Sequence, residues 1–98
     1  MPVHYRGHDV VDPDHRLIGT ISDVLYDTTG EPEWAVVDLG LLRSAHYLPV
    51  GAGYMSENGE FIVPFEKRVV KSAPKADRSH FLDAATEREL KRHYELAS

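Results

Sequence analysis

The 98-residue sequence predicts a mainly β domain closed by a C-terminal α-helix. Three observations carry this. As far as Pro64, short runs of β-branched and aromatic residues alternate with turns rich in Pro, Gly and Asp. An Asn58-Gly59 pair, the strongest short hairpin signal in the chain, separates Tyr54-Met55 from Phe61-Val63. After Pro64 the pattern changes to helical spacing, and the stretch 83–96 ends the chain with a capped, striped helix.

Taken in order, "GHDVVD" (7–12) is a short strand closed by the turn Asp12-Pro13-Asp14-His15. Proline there has its φ already set, and the Asp12 carboxylate can bond the backbone two residues on. The second strand, "RLIGTISDVLYD", has broken parity: Ile21 and Leu25 share a face with Asp23, whereas Val24 and Tyr26 share the other. A carboxylate within an apolar face is costly unless hydrogen-bonded, so a β-bulge at Asp23 is predicted to reset the parity. Gly19 is read as a tight bend in the same strand. "DTTGEP" forms the next turn, with Asp27 capping it and Gly30 taking positive φ.

The third strand, "EWAVVDLG", carries Trp34 and Val36 on one face and Ala35, Val37 and Leu39 on the other, so both faces are predicted to be covered. "AHYLPV" (45–50) is a fourth strand that Pro49 assigns to an edge or bulge. "KRVVKSAP" reads as one short helical turn ended before Pro74. In the tail, Asp83 or Thr86 serves as N-cap, with Thr86 to Glu89 matching a capping box. Leu90, Tyr94 and Ala97 form a stripe too narrow to hold an isolated helix, which must therefore dock on the sheet or on a partner chain.

Composition narrows the class. A hydrophobic fraction of 42% with 28% charged residues is that of a folded globular domain. The absence of cysteine excludes disulfides and thiolate zinc sites. Apolar runs fall far short of the roughly 20 residues that span a bilayer, and "MPVHYRGHDVVD" is too polar for a secretion signal. The expectation is a cytoplasmic protein without membrane insertion. The net charge of −5 is unevenly distributed: residues 1–40 hold eight acids against two arginines. Lys67, Arg68, Lys71, Lys75 and Arg78 form a basic segment in the second half. Opposed patches of this kind can bring a partner or a second copy into register.

The order of these elements resembles the PRC-barrel domain. The likeness lies in "VVDPDHRLIGTISDVLYDTTGEPEWAVVDLG", in "YLPV" and in "FIVPFEKRVVKSAP". Ile18-Gly19, Ile21 and Asp23 match the family's "IG-x-(V/I)-x-D", and Leu48-Pro49-Val50 matches its later "(L/V)-P-(V/L)" strand. The resemblance covers 5–74 and implies a small, strongly bent β-barrel of PRC type. On this reading residues 1–76 form the barrel domain and 77–98 a C-terminal helical extension, docked on the barrel or on a partner chain. The family includes the H subunit of photosynthetic reaction centres and a ribosome maturation factor. This sequence lacks the membrane helix of the first and the additional N-terminal domain of the second, so neither function transfers. What the resemblance implies is a binding or assembly module with no catalytic residues to carry over.

Sharper functions fit the residues less well. His4, His8 and His15 lie near Asp9, Asp12 and Asp14, all competent metal-ligand types, but in turn and strand they lack a fixed ligand spacing. The expectation is no metal site and no cofactor, with a metal-binding protein through these N-terminal His and Asp residues kept as one alternative. Asp23, Asp27 and Asp38 are better read as bulge, turn and strand end than as a general acid/base pair. Ser22 and Ser44 lack a nucleophile elbow, and there is no glycine-rich phosphate loop, so no enzyme activity is expected. The segment Lys67–Arg78 suggests a ribosome- or RNA-associated role as the alternative, but without aromatics beside it for stacking, and with an acidic remainder, nucleic acid is disfavoured. The favoured reading is a homodimerising, protein-binding module. Its anchors are sought among Tyr47, Tyr54, Phe61, Leu90 and Tyr94 because aromatic residues are enriched at interfaces.

Overall fold

The computed structural model describes residues 4–40, 44–77, 79 and 81–97. Strands β1 (Asp9–Val11), β2 (Leu17–Tyr26), β3 (Pro32–Asp38) and β4 (Ala45–Pro49) are followed by a 3-10 turn at Val50–Ala52. Then come β5 (Tyr54–Met55), β6 (Phe61–Ile62) and the helices α1 (Lys67–Lys71) and α2 (Ala84–Ala97). The strands form one sheet in the order β4-β3-β2-β1-β6-β5. All neighbours are antiparallel except β1 and β6.

This order forces the sheet to curl. β4 and β5 lie at opposite edges, which in a flat six-stranded sheet would stand about 24 Å apart. The chain from Pro49 to Tyr54 reaches at most about 17 Å even when extended, and here it is coiled into the 3-10 turn. Only a sheet rolled into a half-barrel brings the two edges within that reach.

Bulges supply the bend. Register shifts in β2 fall between Ile21 and Asp23 and again between Leu25 and Tyr26. The first returns Val24 to the side already occupied by Ile21, and both are buried. Asp23 therefore does what its position predicted: its carboxylate accepts the Val24 amide at 2.9 Å and pairs with Arg6 at 2.6 Å. Gly19 lies within β2 beside a third register shift, where Val10 pairs with Gly19 but Val11 with Leu17, and a Cβ there would collide with the Asp38 carbonyl of β3 and stand 2.8 Å from Val37 Cγ1. Close approach of the two strands is the reason for that glycine.

The remaining turns follow their residues. Asp27 Oδ1 accepts the amides of Thr29 at 2.9 Å and Glu31 at 3.0 Å, while Gly30 has φ 86°. Gly59, with φ 84°, turns the chain between β5 and β6. In β3, Trp34, Ala35, Val36 and Val37 are all buried, so both faces of that strand are covered as predicted. β4 is an edge strand, and it does not stay bare. Lys75 bridges to His46, and the Ala76 amide donates to the Ala45 carbonyl at 2.9 Å. The segment after α1 thus lies along that edge and blunts it.

Candidate functional site

α2 is nucleated by Asp83, whose Oδ1 accepts the Thr86 amide at 2.7 Å. Thr86 lies inside the helix, so the capping box predicted to begin there is not formed: the carboxylate one turn earlier already satisfies the free amide. From this start, Leu90 and Tyr94 reach the barrel and are buried. The Tyr94 hydroxyl donates to the Tyr47 carbonyl at 2.5 Å, and its ring lies 4.8 Å from Phe65. Burial pushes the Tyr94 phenol well above its usual range. On its other flank α2 meets α1, where His93 Nε2 donates to the Val69 carbonyl at 2.7 Å. The extension is docked on its own barrel.

That docking corrects the search for interface anchors. Tyr47, Phe61, Leu90 and Tyr94 are each at most 4% exposed and belong to the core. Phe61 lies at the strand junction where β1 and β5 both pair, and Leu90 and Tyr94 are consumed in holding α2. Of the five, Tyr54 alone stands in solvent, at 63% exposure.

Where α2 passes the 3-10 turn, a groove of about 500 Å³ opens. Trp34, Pro49, Ala52, Pro64, Phe65 and Tyr94 form its wall, and Glu33, Lys91 and Glu95 its rim. A smaller hollow of about 240 Å³ adjoins it, lined by Pro13, His15, Tyr54, Ile62 and Val63, with Ala52 and Pro64 shared between the two. Together they form a continuous apolar strip across the closing seam of the half-barrel. Gly53 lets the strip run close, since a Cβ there would stand 2.7 Å from the Ile62 carbonyl and 2.8 Å from the Phe61 ring.

Trp34 organises the larger end. Its buried indole N–H donates to Glu33 Oε1 at 3.1 Å and to Glu87 Oε2 at 3.3 Å, joining β3 to α2. The hydrogen bond between the two carboxyls holds Glu33 above, and Glu87 below, the usual glutamate range. Lys91 acts on both as the nearby cation. Sequence reasoning placed Trp34 in the core but missed this pairing. The signal was present, because a buried indole N–H must find an acceptor.

A second polar feature went unread. His46 is buried, with Nδ1 2.8 Å from the Ala73 carbonyl and Nε2 2.8 Å from the Ser44 hydroxyl. The carbonyl can only accept, so Nδ1 carries the proton and Nε2 accepts from serine. Burial, opposed by the bond to Ala73 and reinforced by Lys75, lowers the pKa of this imidazole. It ties the covered edge of β4 to the end of α1.

The other predicted groups do not converge. His8 Nδ1 bonds the Gly59 carbonyl at 2.7 Å, and His15 Nδ1 lies 3.1 Å from Glu60 Oε1. Asp12 accepts the Asp14 and Arg16 amides at 2.9 Å each, capping its turn. Among the described residues no three His, Asp or Glu side chains gather as metal ligands. Lys67 and Lys71 stand one turn apart on α1, Arg68 lies 3.3 Å from Glu66, and Lys75 lies along β4. Arg78 lies outside the described residues.

Comparison with known proteins decides the family. The model of the PRC-barrel domain matches residues 4–77. The chain belongs to the PRC-barrel family. PRC barrels are modules of protein interaction and assembly, and the observed half-barrel with its appended helix has the expected architecture. No curated protein matches the chain. Among the described residues no helix is long and apolar enough to cross a membrane.

Proposed function

We propose that this PRC barrel is a non-enzymatic assembly module of the cytoplasm that binds protein partners, a second copy of itself included, through the apolar strip at its closing seam. The observation that carries the reading is that strip, in which exposed Tyr54 and Ala52 continue into the groove beside Trp34. The non-enzymatic part rests on the carboxylates: Asp12, Asp23 and Asp27 are engaged by backbone amides and shape turns and a bulge. The placing in the cytoplasm draws on the lack of cysteine.

Self-association is assigned to the smaller end. The helix stripe is buried in the barrel and the β4 edge is covered, whereas Tyr54 stands exposed on β5, the strand at the sheet's other edge. Light scattering tests this at tens of micromolar. The wild-type chain should show a dimeric mass and Tyr54→Asp a monomeric one with the same far-UV circular dichroism, because Tyr54 is 63% exposed in the single chain and its fold does not depend on that ring. A monomeric wild type overturns self-association.

A further inference from the structure

The larger end of the strip, beside Trp34, is shaped for something other than a second folded copy. At about 500 Å³ it has the size of a small-ligand site, typically ~300–1,000 Å³, and takes only a few side chains. A stable folded interface buries about 800 Å² on each partner, far more than such a groove presents. Its wall is aromatic and prolyl, with Trp34, Phe65 and Tyr94 offering ring surfaces between Pro49 and Pro64. Such walls receive extended segments, because flat rings and prolines pack against a backbone without needing it to fold.

Charge states what that segment must carry. Glu33 and Glu87 are drawn together on one indole N–H, and both face Lys91 on α2. At the groove's rim Glu33 and Glu95 stand against one cation, Lys91, and Glu87 shares the indole N–H with Glu33 from the neighbouring hollow, so acids outnumber bases where a segment would enter and a cationic one is favoured. The chain's own α1 cations do not stand there. His93 touches α1 from one flank of α2, whereas Lys91 and Tyr94 face the groove on the other. Resting on the protein-binding reading above, we infer that the groove docks a short extended segment of a partner protein in which apolar side chains are flanked by lysine or arginine.

Panning tests the inference. A displayed library of random dodecapeptides is selected on the wild-type chain and counter-selected on Ala52→Arg, a substitution at an exposed position of the groove wall. Enriched peptides should pair an aromatic or aliphatic residue with neighbouring Lys or Arg. Synthesised and measured by fluorescence anisotropy, they should bind Ala52→Arg about tenfold or more weakly, as expected for blocking a central anchor. They should also bind the double variant Glu33→Gln/Glu87→Gln several-fold more weakly, and Tyr54→Asp as well as wild type. Emission from Trp34, the chain's single tryptophan, should shift on binding. No enrichment over the counter-selected variant, enrichment without basic residues, or affinity indifferent to the Glu→Gln changes overturns the inference. Should that occur while the wild type dimerises and Tyr54→Asp does not, the assembly reading stands and only the peptide site falls.

Discussion

The turn between β2 and β3 and the seam between β3 and α2 both centre on acidic residues, yet they are built in opposite ways. At the turn, the Asp27 carboxylate is surrounded by donors from its own neighbours, Thr29 and Glu31, and its pKa is lowered. At the seam, Glu33 meets another carboxyl 54 residues away in the chain, and its pKa is raised. A carboxylate answered by backbone amides is finished once the chain has folded. One held beside a like charge keeps a capacity to bind a cation. The difference teaches where to look for function in so small a barrel: among acids that folding brings together, and not among acids that folding uses up.

The largest effect should come from breaking the seam. Trp34 is 4% exposed and bonds both carboxyls, so Trp34→Ala removes its packing and strands the acids that converge on it. The expected cost is about 3–5 kcal/mol, the range for deleting a large core aromatic. Urea titration followed by far-UV circular dichroism measures it, since the substitution removes the fluorescent probe. A loss no greater than that of a surface change would show that the seam does not hold α2.

A smaller change sharpens the same point. Tyr94→Phe keeps the ring against Phe65 and deletes only the hydroxyl that donates to Tyr47. The cost expected is about 1 kcal/mol for a lost neutral hydrogen bond, with α2 still docked. If helical signal is lost from the native baseline of this variant, the hydrogen bond rather than the apolar contact would be what docks the helix.

The contrast between turn and seam also explains how much of the molecule was legible in the sequence. Strand and turn positions were readable because their causes are local: Asp27 bonds residues two and four further on, Gly30 and Gly59 supply positive φ, and Asp23 breaks the alternation where the bulge occurs. The helix was readable from its stripe, and so was its need to dock. Which surface remained afterwards was not. Tyr47, Phe61, Leu90 and Tyr94 carry the composition of an interface, and the same composition serves a core. The groove joins residues 33–34, 49–52, 64–65 and 91–95, a set that only the curl of the sheet assembles. His46 escaped notice for the same reason, because both its hydrogen bonds depend on where Ala73 returns to β4.

The smallest predicted effect tests the turn and isolates charge from shape. Asp27→Asn keeps an oxygen able to accept from Thr29 and Glu31 while removing the negative charge. Asp27 has a folded pKa below its ordinary value of 3.8, chiefly because the Thr29 hydroxyl and the Glu31 amide hydrogen-bond the ionised form. Its contribution is therefore present above about pH 4 and is lost as the pH falls through the lowered folded value. At neutral pH the wild type should melt slightly above Asp27→Asn, by less than Tyr94→Phe costs. As the pH falls below 3.8 the two curves should converge, because protonated aspartate and asparagine are then alike in charge. A gap that stays constant into acid would mean that the amides read the oxygen's position and not its charge, and the distinction drawn between the two acids would reduce to geometry.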